Sequence, residues 1–379
     1  MSGAPSGGFV PPPYPYDRLR ALQDIAAASP AGLVDCSIGN PCDPVPPLVA
    51  DAITAALPTA NGYPASAGSP EYRAAAAAWI TRRFGVEIAA EQVAACVGTK
   101  ELVASLPHTL HLRNPRRDTV LFPAVAYPTY AMGATLASLR AVPVPLDDQW
   151  HLALDQVRDE DAARALVLWL NEPGNPTSAV GDDARFAATV AWARERGIVV
   201  ASDECYVEFA PQPATVLCAG TDGVVAVHSL SKRSNLAGMR AGFYAGDPEL
   251  VAYLVEVRKH AGLMVPAPVQ AGAIAALADQ THVDEQRARY VERRDLVAAG
   301  LAAFGVDHAG GPMPFYLWLC CDEGLDGWGM AEQLAAGGLL VSPGEFYGDA
   351  GADHVRLALV QPRDDLARAL DALHAVAAH

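Results

Sequence analysis

No stretch of this sequence comes near the roughly 20 apolar residues needed to cross a bilayer, so no membrane-spanning helix is expected among its 379 residues. Positive charge is scarce as well. The formal charge is −16 at pH 7, which argues against a broad basic surface for nucleic acid, while a few local arginines can still capture a small anion. Cysteine is sparse and unpatterned: there are seven, with no C-x-x-C pair, and the adjacent Cys320 and Cys321 are poorly placed to bridge each other. Such an odd, scattered set reads as reduced thiols in a cytosolic protein. The ten histidines include no H-E-x-x-H, so no metal site is expected. The opening MSGAPSGGFVPPPYPYD has no basic residue before Arg18 and no apolar core, and is not expected to act as a secretory signal.

What is present describes an ordinary alanine-rich globular chain, 51% apolar and 18% charged, long enough for two domains. The first 17 residues, rich in Gly and Pro with Tyr14 and Tyr16, read as an extended arm. Beyond them, apolar runs alternate with helical patterns. VDCSI (34–38), VAACV (93–97), TVLF (119–122), ALVLWL (165–170), IVVAS (198–202), VVAVH (224–228) and GFYAG (242–246) read as strands. Their nearly continuous apolar character suggests strands buried on both faces, as in a parallel sheet. Ser69-Pro70 opens one helix that stops at Gly85, and Asp182-Asp183 opens another that ends at Gly197. This alternation predicts an α/β domain over about 46–265. After PAPVQ (266–270) a long helical stretch, FYLWLC, LLVSP, HVRLAL and a final helix from Asp364 predict a smaller α+β domain over 266–379. Residues 1–45 supply the arm and part of that domain.

Candidate chemistry begins at SLSKRSNLAGMRAG (229–242). A lysine in a loop after a strand is usually a solvated charge. Here Ser229 and Ser231 offer hydroxyls, and Arg240 a planar fork suited to phosphate. A phosphate held there would lie beside the Lys232 amine, which can condense with an aldehyde. Upstream, IVVAS ends in Asp203-Glu204-Cys205-Tyr206. A carboxylate at the carboxyl end of a parallel strand points into the ligand crevice, where it would favour a protonated ring nitrogen. Tyr206 could donate to a ring oxygen. ALVLWL runs into NEPGNPTS, where Asn175 has turn chemistry and a free amide, and taken alone reads as a turn residue.

The order and spacing of Asn-Pro-Thr at 175–177, Asp-Glu-Cys-Tyr at 203–206, and Ser-Leu-Ser-Lys followed by Arg240 resemble the class I/II aminotransferases of fold type I. The resemblance covers almost the whole chain. It implies pyridoxal 5′-phosphate (PLP) as cofactor, held by Lys232 as a Schiff base, with Asp203 at the ring nitrogen. It also implies that Gly39, in SIGNP, approaches the substrate carboxylate and that Arg356, in HVRLAL, pairs with it. Thr99 and Lys100, in VGTKELV, would cradle the phosphate, in keeping with the affinity of helix N-termini for anions. Tyr127, in AYPTY, would stack on the ring. Tyr63, in NGYPASAGSPEYR, would reach the phosphate of a neighbouring subunit, which implies a homodimer. Where many relatives have a glycine after Asn-Pro-Thr, this chain has Ser178, and an adjusted turn is expected.

The segments DCSIGNPCDPVPPLV, YPASAGSPEYR, FPAVAYPTY, HSLSKRSNLAGMRAGF and VSPGEFYG further resemble N-succinyldiaminopimelate aminotransferases of the actinobacterial type. The implied partners are small amino acids and 2-oxo acids: glutamate would be the donor and N-succinyl-2-amino-6-oxopimelate the acceptor. Both amino-acid substrates carry more than one carboxylate, so a second contact beyond Arg356 is expected from Arg18, Lys100, Arg233 or the arm near Tyr14 and Tyr16. Two alternatives stay open: an aminotransferase of aspartate, aromatic or branched amino acids, and a fold-type-I carbon–sulfur β-lyase. Regulators that bind the same cofactor normally carry a helix-turn-helix domain, and none is expected here.

Overall fold

The computed structural model describes residues 8–320 and 324–377. The first seven residues of the arm and Cys321 lie outside the described residues. In chain order the strands are β1 (Val34–Asp35), β2 (Val93–Cys96), β3 (Thr119–Pro123), β4 (Arg140–Val144), β5 (Ala165–Leu170) and β6 (Val199–Asp203). They continue as β7 (Val224–Ser229), β8 (Gly242–Gly246), β9 (Tyr316–Cys320), β10 (Leu339–Leu340), β11 (Ser342–Pro343) and β12 (His354–Ala358).

Seven of these form one sheet in the order β2-β8-β7-β6-β5-β3-β4. Strands β3 to β7 pair in parallel, whereas β8 runs antiparallel to both β2 and β7. The carboxyl ends of six strands therefore share one edge, and the reversal brings the amino end of β8 to the same edge. Strands β5 and β7 are buried at every position, which explains their unbroken apolar runs. The expected α/β class with a mainly parallel sheet is the one observed. Strand β4 was not legible: it is the partly exposed sheet edge, where Pro143 is tolerated and hides the signal. Strand β1 is shorter than the run VDCSI because the Asp35 carboxylate accepts from the Ser37 backbone N–H (2.9 Å) and hydroxyl (2.6 Å), turning the chain.

Helix starts follow their capping residues. Ser69 accepts from the Tyr72 N–H (3.2 Å) ahead of Pro70–Phe84, and Asp182 accepts from the Arg185 N–H (2.8 Å) ahead of Asp183–Glu195. The long helical stretch after PAPVQ divides into Ala267–Ala278 and Thr281–Ala302. The first packs on Pro47–Ala56, and its Ala273, Ala276 and Leu277 join the core under the large sheet. The large core thus includes residues beyond 265, as far as Leu277.

The small domain is built on the antiparallel sheet β11-β12-β9. N-terminal residues complete it: β1 pairs with β10, and Leu19, Leu22, Ala26 and Val34 enter one core with Trp318, Leu334 and Leu366. Strand β12 places Arg356 opposite Trp318 of β9 and Ser342 of β11.

Candidate active site

Between the carboxyl edge of the large sheet and the small-domain strands β9 and β12 lies a cleft of about 260 Å³. Strand β7 ends at Ser229, whose hydroxyl accepts from the Ser231 N–H (3.1 Å), and the short helical turn Leu230–Arg233 then presents Lys232. The chain has three lysines; Lys100 and Lys259 are exposed, whereas Lys232 is half-buried. The Lys232 amine donates to the Gly39 carbonyl and lies 5.5 Å from the Phe315 ring centre. Burial lowers its pKa to about 8; the positive charges of Arg356 and Arg240 push the same way, and Cys205 opposes them. A side chain at Gly39 would place its Cβ 2.4 Å from the Tyr316 hydroxyl, so the loop approaches this closely only as glycine.

Asp203, the last residue of β6, is buried on the floor of the cleft. It accepts from the Tyr130 hydroxyl (2.9 Å) and the Cys205 N–H (3.2 Å). Burial raises its pKa while those bonds hold it down. Beyond β5, the Asn171 side chain accepts from the Asn175 N–H (2.8 Å) and donates to the Asp203 carbonyl (3.1 Å). Asn175 in turn accepts from Arg356 Nη1 (2.8 Å). The buried Arg356 also donates to the Ser37 carbonyl, and its guanidinium lies 4.4 Å from the Tyr316 ring centre and 4.9 Å from that of Tyr347.

On the far wall the helix Thr99–Arg113 begins after Gly98, whose φ is +72°. A Cβ at Gly98 would fall 2.2 Å from Arg240 Nη2. The helix N-terminus and the Arg240 fork thus meet across a glycine and form a cradle with Ser229 and Ser231 that suits an anion. Thr99 Oγ1 accepts from the Cys205 thiol at 3.2 Å. Tyr127 and Tyr206 also line the cleft; Tyr206 shares a 2.7 Å hydroxyl contact with Tyr316.

An amine, a carboxylate across from it and a phosphate cradle fit a phosphorylated pyridine aldehyde, and the comparisons agree. The family described as aminotransferase class I and II matches residues 31–373. The chain belongs to the class I and II aminotransferases. It is 44% identical over 367 residues to the 4-dedimethylamino-4-oxo-anhydrotetracycline transaminase OxyQ of Streptomyces rimosus, covering 94% of this chain and 98% of the relative. It is 36% identical over 374 residues to an LL-diaminopimelate aminotransferase of Desulforudis audaxviator, covering 96% and 95%. Among solved structures, a probable N-succinyldiaminopimelate aminotransferase from Thermus thermophilus superposes with a TM-score of 0.88 at 31% identity, covering 96% of this chain and 100% of that one. The protein is a transaminase, and PLP is its cofactor.

In this aminotransferase the cleft gathers Gly39, Thr99, Lys100, Tyr127, Asn175, Asp203, Tyr206, Ser229, Ser231, Lys232, Arg240 and Arg356. Tyr63 stands apart, 97% exposed. Two candidates for the second substrate contact lie elsewhere. Arg18 pairs with Glu345 (2.7 Å) and packs 4.9 Å from the Trp328 ring centre; Arg233 is buried and bonds Glu208 (3.2 Å) and the Ala276 carbonyl (3.0 Å). Lys100, Tyr14 and Tyr16 do line the cleft, with the Lys100 amine donating to the Tyr14 hydroxyl at 3.4 Å. Tyr130, Asn171 and Tyr316 also line it and were missed. Tyr130 stands three residues after Tyr127, in the first turn of the helix Thr129–Leu136, and the two ring centres lie 5.9 Å apart.

Ser178 corrects the expectation of an adjusted turn. It keeps the left-handed conformation a glycine would adopt, with φ +59°, and its buried hydroxyl donates to the Tyr316 carbonyl at 2.9 Å.

Proposed function

We propose that this aminotransferase moves an amino group between glutamate/2-oxoglutarate and N-succinyl-LL-2,6-diaminopimelate/N-succinyl-2-amino-6-oxopimelate, a step of diaminopimelate and lysine biosynthesis. The observation that carries the reading is the buried Arg356 guanidinium bound to Asn175 at 2.8 Å, with a second cation, Lys100, at the cleft mouth. That arrangement suits amino acids bearing one carboxylate at the reacting carbon and another at a distance. The likeness to an LL-diaminopimelate aminotransferase and to a probable N-succinyldiaminopimelate aminotransferase supports the same skeleton.

The site residues take these roles. PLP supplies an aldehyde that captures amino groups and a ring that withdraws electrons. Lys232 would hold the aldehyde, and as a free amine with a depressed pKa it would take and return the substrate α-proton. Asp203 would hold the ring nitrogen, Tyr127 would pack on the ring, and Asn175 and Tyr206 would bind its oxygen. The Thr99 and Lys100 backbone with Ser229, Ser231 and Arg240 would hold the phosphate. Gly39, Asn175 and Arg356 receive the α-carboxylate. The protein acts in the cytoplasm as a homodimer in which the exposed Tyr63 reaches the partner's phosphate cradle.

Single-turnover absorbance spectroscopy of the PLP-loaded protein tests this. Glutamate and N-succinyl-LL-diaminopimelate should each change the cofactor spectrum rapidly, and aspartate and aromatic amino acids slowly. If the succinylated compound is inert while aspartate or an aromatic amino acid reacts, the aminotransferase stands and this substrate falls. The 44% identity to OxyQ favours one further reading, so 4-dedimethylamino-4-oxo-anhydrotetracycline belongs in the assay as a competing acceptor. Release of ammonia and pyruvate without an acceptor would instead mark a lyase.

A further inference from the structure

Lys232 is held from two sides. Its own chain continues through Ser234 and Asn235, and its amine rests on the Gly39 carbonyl, in the loop that leads to Asp43. One face of the helix Thr281–Ala302 grips both segments. His282 Nε2 lies 2.9 Å from the Ser234 hydroxyl, and His282 Nδ1 lies 2.6 Å from the Asp279 carboxylate. One turn on, the Gln286 carbonyl oxygen accepts from Asn235 Nδ2 (3.1 Å), and its amide nitrogen donates to Asp43 Oδ2 (2.7 Å). Two turns further, Arg293 takes both Asp43 oxygens in a fork, each at 2.7 Å.

Gln286 thus joins the two segments, beside the direct bond from Asn235 Nδ2 to the Pro44 carbonyl (3.2 Å), and it is 1% exposed. A carboxylate partner demands its N–H₂ and an amide donor demands its oxygen, so both ends are committed. The same helix follows the large-core helix Ala267–Ala278 and reaches small-domain elements, with Tyr290 against Phe315 (ring centres 4.8 Å) and Arg293 on the Leu359 carbonyl (3.5 Å).

We propose that Gln286 is a positioning residue: it couples the Gly39 loop to the Lys232 segment, so that the helix fixes where the free amine stands relative to the substrate-side loop. The inference rests on Lys232 being the reacting amine. Gln286 touches neither substrate nor cofactor, and its effect is to keep the amine's resting partner in place when the amine is not covalently engaged. Misplacement by an ångström is enough to slow a proton transfer.

The test is Gln286→Met in the PLP-loaded protein. This change preserves volume and leaves Asp43 to Arg293 and Asn235 to the Pro44 carbonyl (3.2 Å), so folding should persist. Expected are full cofactor occupancy, a single-turnover rate with glutamate lower by about tenfold, and a KM changed far less. The isotope effect with α-deuterated glutamate should rise, and amide exchange across residues 37–43 should quicken. Asn235→Ala, which also removes the bond to the Pro44 carbonyl, should act in the same direction, and the double variant should lose less than the sum of the two single variants. If both single variants keep the parent's rate, isotope effect and amide exchange, the coupling does not exist. If Gln286→Met fails to fold, Asn235→Ala decides by the same readouts. Lys232→Ala separates the two readings: retained turnover there would overturn the role of Lys232 itself, whatever Gln286 does.

Discussion

Arg356 Nη1 donates to Asn175 Oδ1 at 2.8 Å, joining a small-domain strand to the loop beyond a large-domain strand. The guanidinium is also packed between the rings of Tyr316 and Tyr347, so its plane is fixed before any ligand arrives. Lysine would keep the charge and lose both the fork and the stacking. Arg356→Lys should therefore reduce kcat/KM for glutamate by roughly 100- to 1000-fold, about 3–4 kcal/mol, mostly through KM. Steady-state kinetics with glutamate and 2-oxoglutarate checks this, and an unchanged KM would remove Arg356 from carboxylate recognition.

The Lys232 amine gives a pH prediction. Its pKa is lowered to about 8, first by burial and then by Arg356 and Arg240. Only the neutral amine condenses with an aldehyde, so uptake of PLP by cofactor-free protein should accelerate as pH rises through about 8 and level off above it. An ordinary lysine would still be gaining rate above pH 10. Arg356→Gln removes a nearby positive charge and should move the midpoint upward. A stopped-flow absorbance series from pH 6 to 10 reads both.

Glu204 provides a test of stability. It is buried beside Asp203, accepts from the Ser202 hydroxyl (3.0 Å) and the Val216 N–H (2.8 Å), and lies 3.5 Å from His228 Nε2. Burial raises its pKa to about 7 and lowers that of His228 to about 3, so the histidine is neutral. A carboxyl whose folded pKa is raised adds stability below its unfolded pKa, and that stability is lost as pH rises through the folded value. Glu204→Gln, which does not titrate, should thus gain most over the parent above pH 7, by at most roughly 3 kcal/mol, and the gap should close toward pH 4. Thermal melts at pH 5 and pH 8 suffice; an equal gap at both would refute the assignment.

Ser178 separates strain from hydrogen bonding. Its left-handed backbone costs roughly 1 kcal/mol relative to glycine, and its bond to the Tyr316 carbonyl contributes a similar amount. Ser178→Gly should change stability little, whereas Ser178→Ala keeps the strain, loses the bond and should destabilise by about 1 kcal/mol. Denaturant unfolding of the two variants side by side is the measurement.

What could be read in the sequence followed from local physics. ALVLWL and GFYAG were legible to the residue because strands buried on both faces have no polar alternation to blur their ends. The helix starts at Ser69 and Asp182 were legible because a cap is a local hydrogen bond. Pairings across the chain were not. Tyr130 meets Asp203 from 73 residues away, and nothing near either residue announces it. Arg18 and Arg233 looked as available as Lys100, yet their fates were set by Glu345 and Glu208, partners on distant elements. The alanine-rich helix Ala267–Ala278 carried too little amphipathic pattern to say which core it would join.

The reversed strand β8 has a consequence for assembly. Parallel neighbours must be joined by a long crossover, but an antiparallel pair can be joined by a short excursion. The segment 230–241 between β7 and β8 is such an excursion, and Lys232 and Arg240 both lie on it. The amine and the arginine on the anion cradle therefore become neighbours through contacts close in sequence, the kind that form early and quickly in a folding chain. Asp203, on the neighbouring parallel strand β6, and Arg356, on β12, join the site through contacts between residues farther apart in sequence. The site thus combines one local hairpin with long-range contacts between distant elements.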